Sequence, residues 1–332
     1  VLENAGIDYE IYSKIKANPT VENVQTGVAA FKASGADCII AIGGGSSMDT
    51  AKAIGIIIEN PEFSDVISLE GVAPTTKKAV PIIAVPTTAG TAAEVTINYV
   101  ITDTEKNRKM VCVDVHDIPV VAVVDPEMMA SMPKGLTAAT GMDALTHAIE
   151  GYITKAAWEM SDMFEIKAIE MIARYLETAV FEPTNAEARN GMAVAQYIAG
   201  MAFSNVGLGV VHGMAHPLGA IFDIPHGVAN ALLLPVIMEF NAPAALSKYV
   251  DIAKAMNVYK DGMSREEAAK AAVEAVKALS VKVGIPQHLS ELGIKEEDLP
   301  RLAASAIADV CTPGNPREVT EEIILELYKK AF

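Results

Sequence analysis

Histidine, cysteine and aromatic residues are scarce: 332 residues hold six His, three Cys and one Trp, and Phe, Trp and Tyr together make up 5%. The cysteines, Cys38, Cys112 and Cys311, lie far apart and form no CxxC pair. That excludes a disulfide framework and leads us to expect a reducing compartment, the cytoplasm. Positive charge is also short. Lys plus Arg is 26 against 42 Asp plus Glu, a formal net charge of −16, which argues against nucleic acid and anionic membrane surfaces as partners. No basic stretch followed by an apolar run opens the chain, so no secretory signal is read. The first residues, Val-Leu-Glu-Asn, lack a Met and read as the tail of a helix, so a preceding segment is expected. Asp, Glu, Lys and Arg are absent from Gly191 to Phe222, a length sufficient to cross a bilayer. Gln196, Ser204, Asn205, His212 and His216 within it are costly in lipid, so buried helices are expected instead.

What is present is core-forming material. Hydrophobic residues reach 51% and charged residues 20%, which excludes wholesale disorder. The length suits one large or two medium domains. The first third alternates short apolar runs with helical stretches. Tyr9–Tyr12 is a weak strand candidate, and Val21–Ser34 reads as a helix with apolar spacing at Val24, Val28 and Phe31. Cys38–Ile42 is wholly apolar, the pattern of a strand buried on both faces. A helix is expected from about Met48, with further strands at Pro81–Val85 and Val120–Val124. This alternation predicts an α/β nucleotide-binding domain with a parallel sheet over residues 1–130. From residue 131 to 332 helical signals dominate, predicting an all-α second domain. Glu165–Leu176 carries an apolar stripe, Thr184 or Asn185 is placed to cap a helix, and Ser264-Arg-Glu-Glu267 is a capping box whose helix stops near Gly284 and Pro286.

Two loops follow strands. Gly43-Gly-Gly-Ser-Ser joins a strand to a helix, where small residues let backbone N–H groups approach an anion. It departs from the usual Rossmann fingerprint, since Met48 holds the third glycine position. Pro86-Thr-Thr-Ala-Gly-Thr-Ala-Ala-Glu94 follows the next strand, at the sheet edge where open α/β sheets bind ligands.

The histidines concentrate in the helical part. Asp143 and His147 are four apart, as are His212 and His216, so each pair shares a helix face. His226 lies in Ile-Pro-His-Gly. One carboxylate and three imidazoles suit a divalent ion such as Fe(II) or Zn(II), and spacing leaves open which three of the four histidines bind. His116 and His288 sit in polar contexts and are expected at the surface.

The stretches Gly43-Gly-Gly-Ser46, Thr87–Glu94, Gly141–Glu150, His212–Gly219 and Pro225–Asn230 resemble the iron-containing (group III) alcohol dehydrogenases over essentially the whole chain. Ile97–Asp103, Val111–Pro119, Phe203–Gly209, Asp309–Thr312 and Gly314–Glu318 are similar to the members acting on lactaldehyde and propane-1,2-diol. The resemblance implies reversible hydride transfer between a small alcohol or aldehyde and a nicotinamide cofactor. It implies Asp143, His147, His212 and His226 as metal ligands, and His216 as the proton-transfer residue. It assigns Gly44, Gly45, Ser46, Asp49, Thr87, Thr88, Thr91 and Lys109 to the cofactor, and Asn98, Phe203 and Cys311 to the substrate pocket. Fe(II) is the implied metal, with Zn(II) suited to the same donors. NAD(H) is the implied carrier, and NADP(H) stays open because the acidic ribose-reading residue is expected ahead of Val1. A homodimer is implied as well. A glycerol dehydrogenase-like relative shares the two-domain plan, but the complete ligand set argues against it.

Overall fold

A computed structural model describes residues 1–106 and 108–332. It divides into two compact units. One comprises Val1–Thr87 and Ala93–Val123, the other Thr88–Ala92 and Val124–Phe332.

In the first unit, helix α1 (Val21–Ser34) starts at Thr20, whose Oγ1 accepts the Asn23 N–H while the Asn23 side chain accepts the Thr20 N–H. This reciprocal cap satisfies two otherwise orphaned donors. Strands β1 (Ile39–Gly43), β2 (Ile82–Pro86) and β5 (Val121–Ala122) form a parallel sheet in the order β1-β2-β5. Helix α2 (Gly45–Glu59) links the first two strands. Strands β3 (Asn98–Asp103) and β4 (Arg108–Val113) form a separate antiparallel pair, with Tyr99 opposite Cys112 and Ile101 opposite Met110. Those four side chains join Val24, Ile54, Ile56 and Ile57 in one buried cluster. Fully burying each aliphatic member contributes about 1.5–3 kcal/mol relative to exposure.

Several expectations need correction. Tyr9–Tyr12 forms no strand; the Tyr12 hydroxyl instead donates to the Asn23 carbonyl at 2.8 Å, tying the segment to α1. Helix α2 begins at Gly45, three residues before Met48. The strand expected over Val120–Val124 pairs for only two residues. Strand β1 is not buried on both faces. Ala41 is buried, whereas Ile40 and Ile42, which alternation sends to the opposite face, are 40% and 58% exposed. The β3–β4 pair was not anticipated. His288 is exposed as expected, but His116 is half-buried, its Nδ1 3.0 Å from Thr75 Oγ1 and 3.1 Å from Asp114 Oδ1.

In its Val124–Phe332 part, the second unit is helical: α3 (Lys134–Ile153), α4 (Glu159–Phe181), α5 (Ala186–Val206), α6 (Val210–Phe222), α7 (His226–Asn241), α8 (Leu246–Ala255), α9 (Arg265–Val283), α10 (Leu299–Ile307) and α11 (Glu321–Lys330). The α4 stripe of Ile169, Ile172 and Leu176 is fully buried. Asn185 caps α5 by accepting the Ala188 N–H, and Ser264 with Glu267 forms the anticipated box on α9. The uncharged stretch from Gly191 to Phe222 is broken between α5 and α6, which bend by 103°. The one single helix apolar and long enough to cross a membrane, among the described residues, is His226–Ala244, and 56% of its apolar window is buried against protein.

Candidate active site

Helix α3 contributes Asp143 and His147, one turn apart on one face. His212 lies in the first turn of α6, and His226 is the first residue of α7, after Pro225. Donor atoms of the four side chains all lie within 4.8 Å of one another. Asp143, His147 and His212 are buried, while the His226 side chain keeps 27% of its surface open. The Phe203 ring of α5 stacks on His147 at 4.4 Å and 13° between planes.

The electrostatics fit a cation. Burial lowers His147 to about 4 and His212 to about 3, against the opposing pull of Asp143. Both rings are therefore neutral near pH 7 and keep a lone pair for a ligand bond. The buried Asp143 carboxylate beside these two neutral imidazoles is a costly arrangement unless a cation enters. Three imidazoles and one carboxylate are a set that Fe(II) and Zn(II) both accept. The residues present thus fit a divalent metal.

Three residues around this cluster were not singled out by sequence reasoning. Glu150, on α3, receives the His212 Nδ1 proton at 2.6 Å and the Val211 N–H at 2.7 Å. Burial lifts its carboxyl to about 7, opposed by the N–H groups of Val211, His212 and Gly209. Asn230, one turn beyond His226, donates through Nδ2 to Asp143 Oδ1 at 2.7 Å and lies 3.1 Å from Nε2 of both His212 and His226. Asp309 Oδ2 lies 2.7 Å from His216 Nδ1. Burial works to raise the Asp309 carboxyl, but His216 and the Cys311 amide outweigh it, leaving Asp309 below the usual range. Glu150 and Asn230 carried a faint signal, a polar group one helical turn from an anticipated ligand. Asp309 carried none toward His216, 93 residues away.

His216 is buried, one turn after His212, and groups with Asp309 and Cys311. Burial raises the Cys311 thiol well above its ordinary value.

The anticipated cofactor residues fall in both units. In the first, Gly44 precedes α2, and Gly45, Ser46 and Asp49 occupy its opening turns. Gly43 adopts φ 151°, and a Cβ there would stand 2.3 Å from Ser47 Oγ, so only glycine fits without displacing that hydroxyl. Desolvation lifts Asp49 to about 7, against Lys52 and Lys109. Thr87 follows β2 and donates its N–H to the Gly43 carbonyl, Lys109 lies on β4, and Asn98 opens β3. The Asn98 Oδ1 is buried without a hydrogen-bond partner, an acceptor suited to a ligand's donor. Thr88 and Thr91 belong to the short segment grouped with the second unit. There Gly90 packs so tightly on α3 that a Cβ would stand 2.8 Å from the Thr140 carbonyl oxygen.

Residues 1–126 match the family model for iron-containing alcohol dehydrogenase, and 137–332 that for the C-terminal part of the Fe-containing alcohol dehydrogenase family. Lactaldehyde reductase of Escherichia coli strain K12 is 60% identical over 331 residues, spanning 100% of this chain and 86% of the relative. The 1,3-propanediol dehydrogenase of Citrobacter freundii is 45% identical, covering 100% and 85%. Among solved structures, an alcohol dehydrogenase from Oenococcus oeni superposes with a TM-score of 0.97 at 41% identity, covering 100% of this chain and 86% of that one.

Proposed function

Because the chain belongs to the iron-containing alcohol dehydrogenase family, we propose that it interconverts lactaldehyde and propane-1,2-diol with NAD(H), using Fe(II) held by Asp143, His147, His212 and His226. The observation that carries this reading is the convergence of those four donors from three helices in one cluster, three of them buried and His226 partly open. When bound, the metal polarises the substrate oxygen and steadies its negative charge, while the nicotinamide carries the hydride.

The protein's own groups supply binding and proton movement. Phe203 presses His147 into place and walls the site with an apolar face. His216 passes a proton between the substrate oxygen and solvent through Nε2, because its Nδ1 is engaged by Asp309. Cys311, its thiol held protonated, lines the same pocket as an uncharged wall. Gly44, Gly45 and Ser46 offer the first N–H groups of α2 to the cofactor phosphates. Thr87, Thr88 and Thr91 add hydroxyls, and Asp49 and Lys109 complete the cofactor contacts. Asn98 Oδ1 accepts from the nicotinamide or substrate side. A cytoplasmic homodimer is part of this reading: the reducing setting is supported by three free cysteines, and the dimer is what the family resemblance implies.

The test is anaerobic. Protein loaded with Fe(II) is mixed with NADH and lactaldehyde, and absorbance of the reduced cofactor is followed, with NADPH and Zn(II) in parallel. Rapid Fe(II)-dependent loss of NADH supports the proposal. Faster turnover of 3-hydroxypropanal than of lactaldehyde moves the assignment to a 1,3-diol. No turnover by metal-loaded protein with either aldehyde refutes it.

A further inference from the structure

We infer that Glu150 is a positioning residue of the metal centre: it fixes the His212 ring so that Nε2 faces the ion, and joins α3 to the start of α6. The inference rests on the ligand reading of the preceding section and goes beyond it to a residue outside the ligand set.

Glu150 stands three residues after His147 and seven after Asp143, on the same face of α3. It is 2% exposed. Each group that its oxygens meet is a donor: Oε1 accepts the Val211 N–H at 2.7 Å, and Oε2 accepts the His212 N–H at 3.3 Å and its Nδ1–H at 2.6 Å. With its proton on Nδ1, the His212 ring turns a lone pair on Nε2 toward the cluster. Helix α6 has no side-chain cap of its own, because Gly209 precedes it. Glu150 acts as that cap from another helix. A Cβ at residue 209 would stand 2.8 Å from Oε1, so glycine is what lets the carboxylate come this close. One carboxylate therefore sets the backbone and the ring of the same ligand. Carboxylates that accept from a ligating histidine orient the ring and increase its basicity.

The experiment measures metal affinity of purified apo-protein by competition with a chromophoric chelator, using Zn(II), and the absorption spectrum of the Co(II) form. Glu150→Gln places an amide among donors and is expected to weaken metal binding about 10–100-fold and alter the Co(II) spectrum. Glu150→Asp keeps the charge but withdraws it by one methylene, and is expected to lose less. Asn315→Ala serves as the structural control. The Asn315 Oδ1 also meets the start of α6, at Val210 N, without touching His212. That variant is expected to melt earlier with metal affinity unchanged. Wild-type affinity and spectrum in Glu150→Gln, or in Glu150→Asp if the first does not fold, overturn the inference. Equal loss of affinity in Asn315→Ala overturns it too, because capping alone would then suffice. Failure of the wild type itself to bind Zn(II) or Co(II) overturns the ligand reading as well, and is told apart because no variant is needed to see it.

Discussion

Lys52→Met is the sharpest probe of the first unit. The Lys52 ammonium is fully buried and donates to the Thr96 carbonyl, to the Asn98 carbonyl at 2.9 Å and to Thr96 Oγ1 at 3.2 Å. Asp117, also fully buried, lies 3.8 Å away. Methionine matches the length of the lysine stem, so no large cavity opens and the loss is chiefly polar. Each buried acceptor left without its donor costs about 1–3 kcal/mol. Removing one member of a buried ion pair costs about 3–5 kcal/mol, because the other charge is stranded. These terms overlap. Asp117 relieves its share by taking up a proton, since burial already lifts its carboxyl to about 7 against the pull of Lys52. A net loss of about 3–5 kcal/mol is therefore expected, concentrated where Lys52 ties α2 to the opening of β3. Urea unfolding followed by circular dichroism reads the total. Amide exchange at Ile97–Asp103 reads its location, since local openings have their own free energies. A loss under about 0.5 kcal/mol, the range of ordinary surface substitutions, with unchanged exchange at β3, would refute the reasoning.

Asp117→Asn tests the sign of the same interaction. A carboxyl raised from 3.8 to about 7 binds its proton more tightly in the folded chain. Its contribution is full below about pH 4 and is lost as pH rises to about 7, so stability of the variant should fall less than wild type between about pH 4 and 7. His147 and His212 work in the opposite sense. Their values fall from 6.5 to about 4 and about 3, so apo-protein stability is full above about 6.5 and is lost as pH falls toward 4; a flat melting profile over that window would contradict it. Gly227→Ala puts a Cβ 2.5 Å from the Ala139 carbonyl oxygen, backbone that cannot swing aside. It should push α7 from α3, cost about 1–3 kcal/mol, and weaken metal binding at the adjacent His226, as seen in melts with and without Zn(II).

Much of the architecture was legible because its signals are local. Helix α1 matches the expected Val21–Ser34 span, and the Ser264–Glu267 box and the Gly284 stop bound α9 as read. Those features depend on residues three or four apart, a spacing that the chain carries wherever it folds. The same period puts Asp143 and His147 on one helix face from spacing alone. Strands were less legible. The β3 run alternates buried and half-buried residues, yet its partner β4 opens with Arg108 and Lys109, and pairing depends on register across a turn. The apolar β1 run predicted two buried faces, but burial depends on what packs above, and Ile40 and Ile42 remain open. Other contacts were decided only by tertiary structure. Glu150 reaches His212 across 62 residues, Asn230 reaches Asp143 across 87, and Lys52 reaches Asn98 across 46. No periodicity links such positions. They meet because apolar faces pack in one arrangement, and a buried polar group must then find its partner among whatever that packing brings within hydrogen-bond reach.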